Sequence, residues 1–292
     1  MTVAAQTGVM VERLDASAYE LPTDEPESDG TAEWDSTTIV VVEAQAGETT
    51  GLGYTYAPQA AGTLVKETLA SHVEGADALA PTEVWERLAR VLRNAGRPGI
   101  GFCALSAVDT ALWDLKARVL ELPLVDCLPR VHDAVPLYGS GGFCSYSLDR
   151  LREQLAGWVA QGIPRVKMKI SREPERDPQR LDAAREAVGD ETALYVDSNG
   201  AFGAKVALGW AQRLRADWGA SWFEEPVSSE DPDGLRLVRE HGPGGLEIAA
   251  GEYAYVPADF RHLVGRVDCL QADVTRCGGI TGLLRAAGLA GA

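Results

Sequence analysis

Basic residues are scarce in this chain. Against 43 Asp and Glu stand 27 Lys and Arg, for a formal net charge of −16 and an isoelectric point near 4.7. Nucleic acids and anionic membrane surfaces recruit basic patches, so neither is predicted as a partner. Cysteine is sparse too: five residues, an odd count with no CxxC pair. That excludes a disulfide framework or a structural zinc site and points to a reducing cytosol. No segment approaches the ~18 uninterrupted apolar residues of a membrane span. The N-terminal MTVAAQTGVMVERLD lacks the apolar stretch of a secretory signal. A cytoplasmic protein is predicted. What is present is a hydrophobic fraction of 46% in 292 residues, enough for one large core or two ordinary ones.

Two rhythms divide the chain. Residues 1–130 read as a mixed α+β unit. TTIVVVEAQAG (37–47) is strand-like, PTEVWERLARVLRN (81–94) opens a helix with proline, and CALSAVDTALWDLKARVLEL (103–122) carries a helical stripe from Ala104 to Leu115. Before them, the acidic, Pro- and Ser-rich stretch over 15–35 predicts a long loop of low order. In residues 131–292 short apolar runs alternate with helical stretches: VPLYGSGG, RVKMKI, ALYVDSN, SWFEEP, LEIAAGE and DCLQADV. Alternating β and α elements predict parallel strands with right-handed crossovers. A doubly wound sheet and a TIM barrel both fit that rhythm.

Charged residues at the strand ends choose between them. Lys169, Asp197, Glu224 and Glu252 follow one another at steps of 28, 27 and 28 residues, and Asp273 follows after 21. In a TIM barrel the C-terminal strand ends converge on one site. Three crowded carboxylates repel one another unless a cation lies between them. All-oxygen ligation favours a hard ion, Mg²⁺ above all, bound by Asp197, Glu224 and Glu252. In RVKMKI, Lys167 and Lys169 are two apart and share a strand face opposite Val166, Met168 and Ile170. The pair therefore points into the same pocket. A neighbouring ammonium and a cation lower a lysine's pKa while the carboxylates raise it, and a neutral lysine there is a general base.

These segments resemble the mandelate racemase/muconate lactonizing enzyme group of the enolase superfamily. ALSAVDTALWDLKAR looks like the group's A-x-S-A-x-D-x-A-L-W-D-L helix. KMK, VDSN, FEEP, AGE and DVTRCGGIT match its K-x-K, D-x-N, E-E-P, G-E and D-x-x-x-x-G-G-I-T segments, in order. The resemblance implies an α/β protein with an N-terminal α+β capping domain (1–130) over a modified TIM barrel (131–292). It implies Mg²⁺ as cofactor and proton abstraction α to the carboxylate of a small molecule, giving an enediolate. Lys169 would be the base, and Lys167 would hold or polarise the carboxylate. Asn199 and Glu225 would support the metal ligands. The 15–35 stretch corresponds to the family's specificity lid, with Tyr19 and Trp34 its expected substrate contacts.

The sequence also departs from the family pattern. Asp273 stands where racemase-like members pair an Asp with a His on the seventh strand as second base or general acid, which makes it a catalytic candidate by resemblance, yet His72, His132, His241 and His262 all precede the sixth. Lysine-based members carry a second lysine on the sixth strand; Arg276 lies near that position and is a poor base. The chain stops at Ala292 after six countable barrel strands, so the barrel is predicted to be truncated after the sixth strand, with exposed strand edges that favour a homo-oligomer. A truncated copy is preferred over completion by a second chain or a catalytically inactive relic. The expected activity is dehydration of a sugar acid. A 2-hydroxy-acid racemase or epimerase is second, and a lactone-forming cycloisomerase third.

Overall fold

The computed structural model describes residues 8–291. It begins with a three-stranded antiparallel sheet, β1 (Arg13–Ser28), β2 (Glu33–Ala46) and β3 (Thr49–Tyr56), in sequential order. The predicted 15–35 loop is therefore corrected to a long hairpin. Composition misled because half of β1 needs no apolar character. Leu14 and Ala16 face the core opposite Ala44 and Val42, while further along the strand Glu20, Asp24 and Glu25 face water. The register shifts between Pro22 and Glu27, which leaves Pro26 outside the ladder, while Pro22 is the last regular position of this edge strand, opposite Ser36.

Behind the sheet lie α1 (Ala60–Leu64), a π-turn over Val65–Leu69, α2 (Ala70–Val73), α3 (Pro81–Val91) and α4 (Ile100–Val119). The whole Ala104–Leu115 stripe of α4 is buried. β3 can lie directly on α4 because Gly51 and Gly53 have no side chains. A Cβ on either would collide with backbone atoms of Ala107, Ala111 or Leu115.

A six-stranded parallel sheet follows: β4 (Gly139–Ser140), β5 (Arg165–Lys169), β6 (Ala193–Asp197), β7 (Trp222–Glu224), β8 (Glu247–Ala250) and β9 (Cys269–Leu270), again in sequential order. Its helices are α5 (Leu148–Ala160), α6 (Asp177–Val188), α7 (Ala204–Trp218), α8 (Pro232–His241), α9 (Pro257–Leu263) and α10 (Gly279–Ala290). Val166, Met168 and Ile170 are fully buried against this outer helical layer, with Leu151, Leu181 and Val196 in the same core. The two lysines of β5 consequently face inward, as the two-residue period requires. Among the described residues, β4 and β9 end the sheet without pairing to each other. No helix among them is long and apolar enough to cross a membrane.

Buried polar ties fasten the antiparallel unit to the end of the parallel one. Thr281 donates its N–H and hydroxyl to the two oxygens of Asp109, at 2.8 and 2.7 Å, and accepts from Trp113 Nε1 at 2.9 Å. Gly278 donates to Ser106 Oγ and accepts from Trp85 Nε1. Thr55 donates to the Thr275 carbonyl. The A-x-S-A-x-D-x-A-L-W-D pattern of α4 is thus a docking face for the loop after β9. Burial pushes the Asp109 carboxyl up to about 7, against the hydrogen bonds it accepts from Thr281.

Candidate active site

Parallel register brings the polar strand ends level. Lys169 is the partner of Asp197, and Asp197 of Glu224. Beyond each strand the backbone turns away through left-handed conformations: Ser171 at φ 84°, Asn199 at 46° and Glu225 at 40°. Side chains seldom tolerate that region, and such strain gathers at functional sites. Here it leaves the side chains of neighbouring strands crowded at one pole.

Lys167 Nζ donates to Glu224 Oε1 at 2.5 Å and Asp197 Oδ2 at 3.3 Å. Lys169 Nζ donates to Asp197 Oδ2 at 2.8 Å and Asn199 Oδ1 at 2.9 Å. Burial is the largest influence and would lower both lysine pKa values, but Asp197 with Glu224 at Lys167, and Asp197 through its charge and hydrogen bond with Glu252 at Lys169, together hold both above the usual range. For Asp197 burial works upward, and the two ammonium groups pull its pKa below normal. Glu224 is pushed up to about 7 by burial and then by Asp197, despite its bond to Lys167. Glu225 rises to about 9 through burial and the charges of Glu252, Asp197 and Glu224, and its Oε1 is buried without a partner. The crowding of carboxyl groups is thus relieved in part by the two lysines and in part by the raised pKa values of Glu224 and Glu225.

The structure brings together Lys167, Lys169, Asp197, Asn199, Glu224 and Glu225. Glu252, two residues beyond β8, sits at the edge of the group. Among the described residues no three His, Cys, Asp or Glu side chains converge closely enough to hold a metal ion. Asp197 Oδ2 and Glu224 Oε1 instead accept from the lysines. The donor set still suits a hard cation, being all carboxylate on three successive strand ends, with Glu224 pushed up to about 7 by burial and the Asp197 charge.

Asp273 accepts from the Thr275 N–H and hydroxyl and lies 3.5 Å from Arg276 Nε, so it closes a turn after β9. Arg276 also donates to the Glu252 carbonyl and covers the Tyr253 ring at 4.9 Å.

Tyr19 and Trp34 do not reach the site. Tyr19 lies on the solvent side of the β1–β2 ladder opposite Ile39, because the segment is strand and not loop. Trp34 donates to Glu27 Oε2 and packs edge-on against Phe143. What the hairpin does bring is its tip. Asp29 accepts from the N–H groups of Thr31 and Ala32, and Gly30 presses against Ser171 and the Ser198 carbonyl. Thr31 then lines a cavity of about 450 Å³ with Asn199, Gly200, Glu225, Tyr253 and Tyr255. Sequence reasoning missed Thr31, Tyr253 and Tyr255. The Asp-Gly pair at 29–30 is the turn signal that would have placed Thr31.

Residues 150–292 match the family model described as enolase C-terminal domain-like, and residues 21–128 match the mandelate racemase / muconate lactonizing enzyme N-terminal domain. The chain belongs to this group of the enolase superfamily. A mandelate racemase/muconate lactonizing enzyme-like protein from Rubrobacter xylanophilus has 61% sequence identity and a TM-score of 0.94 over 96% of this chain and 78% of its own. The 3,6-anhydro-alpha-L-galactonate cycloisomerase of Streptomyces coelicolor is 34% identical over 96% of this chain and 80% of its own length. The L-talarate/galactarate dehydratase of Salmonella typhimurium, crystallised with Mg and L-lyxarohydroxamate, has 28% identity and a TM-score of 0.88, over 100% of this chain and 77% of that one. Dehydratases and cycloisomerases of sugar acids thus surround this member of the superfamily.

Proposed function

We propose that the chain, with residues 1–130 capping a barrel over 131–292, removes the proton α to the carboxylate of a sugar acid as a dehydratase. The observation that carries this reading is the inward Lys167–Lys169 pair bonded to Asp197 and Glu224 at the level where the strands end. Asp197, Glu224 and Glu252 would hold Mg²⁺. When bound, the cation would supply electrostatic stabilisation of the charge that develops on the substrate carboxylate. Lys169 takes the proton at Nζ in its neutral form. Asp197 and Asn199 favour its ammonium form, the one that gives a proton back. Lys167 faces the same space and orients the carboxylate, and the rim of Thr31, Tyr253 and Tyr255 meets the sugar hydroxyls. Asp273 and Arg276 form an ion pair after β9 that places the Arg276 guanidinium over the Tyr253 ring of that rim.

A second reading, a lactone-forming or lactone-opening cycloisomerase, is favoured by the cycloisomerase relative at 34% identity. It shares the proton-abstraction step and differs in the group that leaves. The test is α-proton exchange in D₂O with Mg²⁺ and a panel of aldonates, aldarates and their lactones. Exchange that vanishes in Lys169→Ala supports the shared step, and the product, keto acid or lactone isomer, decides between the two. No exchange with any member of the panel overturns both.

A further inference from the structure

Glu224 is fully buried, and each of its oxygens has a separate donor. Lys167 Nζ lies 2.5 Å from Oε1, and Trp222 Nε1 lies 3.1 Å from Oε2. The indole comes from the same strand, two residues earlier, so the strand period places it on the inward face beneath the carboxylate. Its ring is not free to turn. It stacks on Tyr195 of β6 at 5.1 Å and 17°, and Tyr195 meets Tyr138 at 5.5 Å. Lys167 Nζ lies 5.7 Å over the Tyr138 ring. Three rings therefore floor the site, touching Glu224 at one end and Lys167 at the other.

A phenyl ring would supply the same stacking. The N–H is what differs, and an N–H aimed at a charged acceptor in a buried place makes a short, strong, orienting bond. We infer that Trp222 is a positioning residue that fixes the rotation of the Glu224 carboxylate for cation binding. The inference rests on Glu224 being a ligand, as proposed above.

The test uses Mg²⁺ alone as probe, by calorimetric titration of the wild type, Trp222→Phe and Trp218→Phe. Trp218 is the control because it too is buried and donates its N–H to a carboxylate, that of Asp182 on α6. Loss of an outer partner of a ligand weakens metal affinity about 10–100-fold, and that drop is expected in Trp222→Phe only. A second readout needs neither metal nor the Trp222 variant. In the cation-free protein Glu224→Gln should shift the Trp222 indole N–H resonance and leave that of Trp218 in place. Equal Mg²⁺ affinity in Trp222→Phe and wild type, or an indole signal indifferent to Glu224→Gln, overturns the inference. A wild type that takes up no Mg²⁺ overturns the cation reading, and the indole signal still decides whether Trp222 holds Glu224.

Discussion

In the proposed reaction, Lys169 is the residue on which the chemistry turns. Removing a positioned proton acceptor typically costs 10²–10⁴-fold, so Lys169→Ala should lose α-proton exchange by about that factor while its melting curve stays two-state. Asp109 gives a residue-scale prediction about stability. Its folded pKa, about 7, lies above the ordinary 3.8, so the folded state binds the extra proton. Its favourable contribution is complete below the unfolded value and is lost as pH rises through about 7. Asp109→Asn should be less stable than wild type at pH 5, by about 1–3 kcal/mol for the lost acceptor. The gap should narrow at pH 8, as measured by urea unfolding at both values. The lysines and acids were legible in the sequence because a period of two and a repeated βα spacing place them. Trp222 obeys the same period, two residues before Glu224, yet an apolar residue in a strand reads as core and its N–H went unnoticed.

Among the elements, the β1–β2 hairpin was the misjudged one. Its acidic, proline-bearing sequence has too little apolar content to hold itself, and what holds it is β2 alongside and the strand ends beneath its tip. Gly30→Ala should push the tip off Ser171 and Ser198. The expected outcome is a raised KM for any substrate of the exchange assay and faster proteolysis near residue 30, with little change in midpoint of unfolding. The close approach of β3 to α4 was equally hidden, since a glycine in a strand reads as a weakness. Gly53→Ala should destabilise by about 1–3 kcal/mol through overpacking. Gly157→Ala, in α5 with open space around it, should stabilise by about 0.5–1 kcal/mol. Paired denaturation curves check both.

Across the whole molecule, the alternation of strands and helices was readable from end to end because each unit is local. The ties between units were not, since Asp109 and Thr281 are 172 positions apart and nothing local announces the pairing. A cation that binds only the folded state should raise stability by about 2.7 kcal/mol at a hundredfold excess over its Kd. Thermal melts with Mg²⁺ should rise for wild type and stay flat for Asp197→Asn. The long-range ties carry a consequence for biosynthesis. Helix α4 leaves the ribosome with Ser106, Asp109 and Trp113 committed to a partner that is not yet made. At about 5–20 residues per second, the first turn of α10 around Thr281 follows some 9–34 s later. For that interval the nascent N-terminal half presents unpaired polar groups on an otherwise apolar helix face, and its buried ties close only when the last helix is made.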